Sequence, residues 1–142
     1  MPEGAIFISY AREDIEAVRR LKSALDAAGL KAWFDFDRLG PGDTFDQKIR
    51  QDIRRCALFV PVLSHNTEAR GEGFFRREWR YALDRDFDID PGRPFIVPVT
   101  IDPAMSYSTL PDRFQEVNIT DLPGGYPSEE FVSRLKQIMA GR

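Results

Sequence analysis

The chain has 142 residues, enough for one domain with a real core and too few for two. Hydrophobic residues make up 42% and charged residues 30%, which excludes a disordered or fibrous protein, and a net charge of −3 lacks the basic excess that nucleic acid or an anionic membrane surface requires of a partner. A single cysteine, Cys56, and a single histidine, His65, exclude an internal disulfide and a histidine metal cluster, so no metal is expected.

Short runs rich in Val, Ile and Phe alternate with amphipathic stretches, the pattern of a parallel sheet covered on both faces by helices. Residues 5–10 (AIFISY) read as the first strand. Ile15, Val18, Leu21, Leu25 and Ala28 recur at helical spacing and end at Gly29, a good C-terminal stop. Residues 30–35 (LKAWFD) read as the second strand and 36–43 as a loop shaped by glycines and Pro41. A second helix follows, with Thr44 and Gln47 spaced as a capping box and Phe45, Ile49 and Ile53 on one face.

Residues 57–64 (ALFVPVLS) read as the central third strand, with Pro61 as an objection. Their stretch ALFVPVL is the longest apolar run, far short of a membrane span, and the opening MPEG lacks the regions of a secretory signal. No membrane partner is therefore expected, and the expected location is the cytoplasm. A polar loop (65–72), a helix carrying Glu78 and a turn (86–94) come next. The fourth strand, 95–101, contains Pro98, which suggests a peripheral place, and a weak fifth strand (114–122) precedes a last helix with Phe131, Leu135 and Ile138 inward. The expectation is a single α/β domain over 1–142, a flavodoxin-like three-layer fold with a five-stranded parallel sheet of order 2-1-3-4-5.

Such sheets bind ligands beyond the carboxyl ends of their strands. This places Ser9, Tyr10 and Arg12, the loop 35–45, Ser64 and the early part of the Glu78 helix among the candidates. A flavin phosphate site would want a turn rich in Gly, Ser or Thr after strand one, where SYAREDIE offers carboxylates instead. A phospho-acceptor receiver needs acidic residues ending strands one and three, and these end in Ser9-Tyr10 and Leu63-Ser64. GPGDTF (40–45) lacks the third glycine of a dinucleotide-binding turn, and neither a phosphate-loop nor a serine-hydrolase motif occurs.

Four stretches in order, FISYARED, AWFDFDRLGPGDTF, FVPVLS and EWRYAL, resemble the Toll/interleukin-1 receptor (TIR) domain in its bacterial form, over nearly the whole chain. The resemblance implies either an NAD+ glycohydrolase or cyclase, with NAD+ as substrate and no cofactor, or a non-enzymatic adaptor or virulence protein that recruits other TIR domains. Glu78 matches the catalytic glutamate of the enzymes, and Phe74, one turn earlier, shares its helix face. Phe45 matches an aromatic residue that helps enclose the nucleotide, although it also heads the buried stripe of its helix. Tyr10 and Arg12 match positions beside the nucleotide, and Ser64 either borders the site or ends its strand. Ala11 departs from relatives that carry a second basic residue there.

The loop Asp37, Arg38, Leu39, Gly40, Pro41 and Gly42 matches the family's assembly loop, which implies self-association. A sensor region or partner outside this chain would supply the trigger, in immunity or other signalling. Arg70, Arg76, Arg77, Arg80 and Arg85 form a basic face, either solvated or fitted to another copy's acidic patch. Cys56 reads as a small core residue and His65 as ordinary surface.

Overall fold

The computed structural model describes residues 1–34, 42, 44–103 and 105–141, and at Phe45 the backbone alone. The expected loop residues Asp37, Arg38, Leu39, Gly40 and Pro41 lie outside the described residues.

Five parallel strands, β1 (Ile6–Ser9), β2 (Ala32–Trp33), β3 (Leu58–Leu63), β4 (Val99–Thr100) and β5 (Thr120–Asp121), lie in the order β2-β1-β3-β4-β5. The expected order 2-1-3-4-5 is thus the observed one. Alternation along the two central strands sorts their side chains into two cores. Ile6 and Ile8 of β1 and Val60 and Val62 of β3 pack with α1 (Ile15–Ala27) and with a C-terminal helix, Glu129–Ala140. Phe7 and Phe59, stacked at 5.7 Å, pack on the opposite face with α2 (Phe45–Arg55) and a helix spanning Phe74–Phe87.

Two short helices lie where sequence periodicity is silent: α3 (His65–Ala69) between β3 and α4 (Phe74–Phe87), and α5 (Asp112–Gln115) before β5, which leaves α6 as the last helix, Glu129–Ala140. The stretch expected to be a polar loop therefore begins as a helix. Its start is a capping box, in which Ser64 Oγ accepts from Thr67 N–H at 3.1 Å and Thr67 Oγ1 accepts from Ser64 N–H at 2.9 Å. At Thr44 the expected box does not form; the Thr44 hydroxyl meets the Gln47 side chain at 3.3 Å and caps no backbone group. Helix α1 stops as expected, with Gly29 at φ +84° and Leu30 N–H reaching back to Leu25 O at 3.0 Å.

Strand β4 is internal, between β3 and β5, rather than peripheral. Proline shortens it instead of displacing it. Phe59 N–H donates to Phe95 O and Val97 N–H to Phe59 O, both at 2.9 Å, after which Pro61 and Pro98 supply no donors and regular pairing resumes at Val62 with Val99. The expected fifth strand shrinks similarly: Phe114 and Gln115 belong to α5, where Phe114 fills the core against Trp79, ring centroids 5.2 Å apart.

Candidate functional site

Helix α4 buries Phe75, Glu78, Trp79 and Ala82, the i, i+3, i+4, i+7 stripe of an amphipathic helix. A carboxylate therefore occupies one of the four core-facing places and is only 7% exposed. Burying an ionised group is costly unless it is hydrogen-bonded. Ser9 meets that need: at the carboxyl end of β1 it shares the α4 side of the sheet with Phe7, and its hydroxyl donates to Glu78 Oε1 at 2.7 Å. Sequence reasoning placed Ser9 near the site without a role, because its partner is 69 residues away.

Phe74, one turn before Glu78, is 47% exposed, with the Arg77 guanidinium 5.0 Å from its ring centroid. Its neighbour Phe75 takes the core place and meets Trp79 edge-on at 5.1 Å. Gly73 starts this helix at φ +156°, where an added Cβ would lie 3.0 Å from the Phe75 ring. Tyr10, half-buried, meets Phe34 edge-on at 5.4 Å and packs on the α1 side of the sheet, away from the face that carries Glu78. Arg12 is exposed in the 3-10 turn Arg12–Asp14. Phe45 begins α2, and its side chain lies outside the described residues; Gly42 is an exposed turn residue at φ +82°.

Ser64 turns inward. Its hydroxyl accepts from Thr67 and donates to Asp14 Oδ2, while Asn66 Nδ2 donates to Asp14 Oδ1 at 2.7 Å. Burial pushes the Asp14 carboxyl above its ordinary value of 3.8; the Ser64 and Asn66 donors pull it partway back, and the Asp102 and Glu13 carboxylates add to the rise. The fold thus favours the protonated acid, a contribution that is complete below 3.8 and is lost as pH rises through the raised value. Asp14→Asn does not titrate and keeps an oxygen for Asn66. Its thermal midpoint relative to wild type should climb as pH rises through that window, and a difference flat with pH would refute this account.

Most of the expected basic face is committed within the fold. Arg76 donates to the carbonyls of Arg70 (2.6 Å) and Thr67 (3.1 Å), and Arg85 to those of Ile53 and Cys56, both at 2.7 Å. Arg70 pairs with Glu13 at 3.0 Å and Arg77 with Asp46 at 3.4 Å. Tyr81 also donates to Asp46, which holds that carboxyl below its ordinary range and ties α4 to α2. Cys56 is a buried core residue whose thiol donates to Ile53 O, and His65 is exposed at the start of α3, as expected.

This combination of a 2-1-3-4-5 sheet with a buried acid at its carboxyl edge can be set beside known proteins. The chain matches the TIR domain family over residues 6–138, and it belongs to that family. It is 36% identical over 85 residues to a 2' cyclic ADP-D-ribose synthase, AbTIR, of Acinetobacter baumannii, a stretch covering 58% of this chain and 29% of that protein. It is 34% identical over 80 residues to an NAD(+) hydrolase, TcpC, of Escherichia coli, covering 55% and 24%. The match thus spans less than a third of either relative's length. Among solved structures, the TIR domain of the Toll-related receptor TRR-2 from Hydra magnipapillata superposes with a TM-score of 0.67 at 18% identity, covering 95% of this chain and 97% of that one. The TIR domains of the activated Roq1 resistosome give 0.65 at 17%, covering 94% and 98%. At these identities the two structures speak for the fold alone.

Proposed function

We propose that this TIR domain cleaves the bond between nicotinamide and ribose in NAD+, with Glu78 as the catalytic carboxylate, and that it does so in self-associated form within a bacterial immune or signalling system. The observation that carries the proposal is a carboxylate kept in the core-facing stripe of α4 and hydrogen-bonded at the ligand-binding edge of the sheet, where an apolar side chain would serve packing better. The two bacterial relatives, one named as a cyclic ADP-ribose synthase and one as an NAD+ hydrolase, support the same substrate.

The chemistry suits a single acid. Nicotinamide leaves as a neutral group, so no strong general acid is required, and positive charge develops on the ribose. Glu78 stabilises that oxocarbenium-like state and hydrogen-bonds the ribose hydroxyls, in surroundings whose low polarity strengthens the attraction. Attack by water then yields ADP-ribose, and internal attack by a nucleophile of the same molecule, an adenine nitrogen or a ribose hydroxyl, yields a cyclic product. Phe74, partly exposed one turn from Glu78, and Phe45 at the head of α2 flank the bound nucleotide, and Arg12 meets its phosphates.

The test is incubation of concentrated protein with NAD+ while nicotinamide is measured. Release per molecule should rise steeply with protein concentration, and Gly42→Pro, which forbids the positive φ of that turn, should depress both assembly and release. A flat dependence across the range where light scattering sees monomer become oligomer would remove self-association from the proposal. Absence of release under assembling conditions would leave the non-enzymatic adaptor.

A further inference from the structure

Ser9 hangs from the strand that is paired on both sides, by β2 and by β3, and is fully buried. Its hydroxyl spans the gap to α4 and donates to one oxygen of Glu78. Strand alternation gives the reason it reaches that helix: Ile6 and Ile8 face α1 and α6, whereas Phe7 and Ser9 face α4. An alanine at position 9 would satisfy packing equally well, so the hydroxyl is the informative part. A glutamate side chain has three rotatable torsions, and a fixed donor on a central strand removes most of that freedom before any substrate arrives. The same donor favours the ionised carboxylate, opposing the effect of burial.

We infer that Ser9 is a positioning residue for Glu78, holding its carboxylate in one place and in its charged form for the developing cation on the ribose. The inference rests on the proposed NAD+ cleavage for its kinetic consequences, although the effect of Ser9 on the Glu78 carboxyl stands independently of any reaction.

Ser9→Ala removes one oxygen and leaves the strand pairing intact. With NAD+, kcat should fall about tenfold and KM should change by less than about twofold, the signature of an interaction used in the transition state. In the background of Glu78→Gln, adding Ser9→Ala should cost nothing further, because Ser9 acts only through the charge already removed. An additive loss would assign Ser9 a separate structural role and overturn the inference. Titration of the Glu78 carboxyl, followed through its side-chain carbon resonance, supplies a readout that needs no turnover. In Ser9→Ala it should titrate at higher pH than in wild type. Asp14 near the sheet edge, Asp46 and Arg50 on α2, and Arg77 and Arg80 on α4 are common to both proteins, so the difference isolates the hydroxyl. Identical titration curves would overturn the inference whether or not NAD+ is cleaved; a wild type that releases no nicotinamide yet shows the shift would sink the proposed reaction and keep the Ser9–Glu78 coupling.

Discussion

Glu78→Gln should lower nicotinamide release on the order of 100-fold or more, equivalent to about 2.7 kcal/mol of transition-state stabilisation, the scale seen when a preorganised stabilising group is removed. Glutamine keeps the size of the side chain and an oxygen that can accept from Ser9 Oγ, so the packing of the α4 stripe survives and the thermal midpoint should move little. What disappears is the negative charge. Glu72→Gln, in the exposed turn before α4, is the matched control and should be silent in both measurements. Nicotinamide release and unfolding of the three proteins, compared at one high concentration, decide the matter. Robust release by Glu78→Gln would end the catalytic assignment, and a large drop in midpoint would recast the residue as structural.

The largest stability effect should come from Gly125→Ala. The 3-10 turn Pro123–Gly125 seats on α1, where Arg20 Nε donates to Gly124 O at 2.7 Å. Gly125 has φ +87°, and a Cβ there would stand 2.2 Å from Ala17 O and 2.8 Å from Ala17 C, backbone atoms of a packed helix that have no side-chain torsion by which to retreat. Conformational strain and collision act together, and the expected loss is about 3 kcal/mol or more. Gly29→Ala separates the two causes: its φ is +84°, yet nothing among the described residues lies within 4 Å of the added carbon, so about 1 kcal/mol is expected. Gly71→Ala also enters open space, without a positive φ, and should be neutral. Chemical denaturation of the three variants tests the ranking; equal losses at Gly125 and Gly29 would show that the turn moves away from α1 at little cost.

The parts of this fold that were legible in the sequence are those written in local periodicity. The apolar runs gave β1 and β3, the i, i+3, i+4 spacings gave α1, α2, α4 and α6, and Gly29 marked the end of α1. Local signals misled where two neighbours compete for the same role. Thr44 and Gln47 have capping-box spacing but bond to each other, whereas Ser64 and Thr67 cap α3 with a threonine in the place where glutamate or glutamine is the usual sign. The prolines of β3 and β4 were visible, yet their effect depended on the two falling beside the same interruption of one ladder. Within the candidate site, the family resemblance singled out Glu78 and helix spacing put it on one face with Phe74, whereas its burial beside Phe75, Trp79 and Ala82 came only with the packed fold. Its partner Ser9, and the set formed by Asp14, Ser64 and Asn66, join residues 50 to 69 positions apart and belong to no local pattern.

The arginines around α4 carry a consequence for how an approaching partner meets this protein. Helix α4 carries four arginines against Glu78, Asp84 and Asp86, a formal charge of only +1, and Arg76 and Arg85 are turned onto carbonyl oxygens, where they do the work of missing backbone donors and bolt the 67–70 turn and the end of α2 to α4. Arg70 and Arg77 each face a carboxylate across an element boundary. From a distance the field of this helix is therefore that of a nearly balanced set of charges, and long-range electrostatic guidance through it is correspondingly modest. Lysine at position 76 would preserve every formal charge and still release a bolt, since a point ammonium lacks the planar fork by which Nε and Nη2 reach two carbonyls at once. On this face arginine is a fastener first and a charge second.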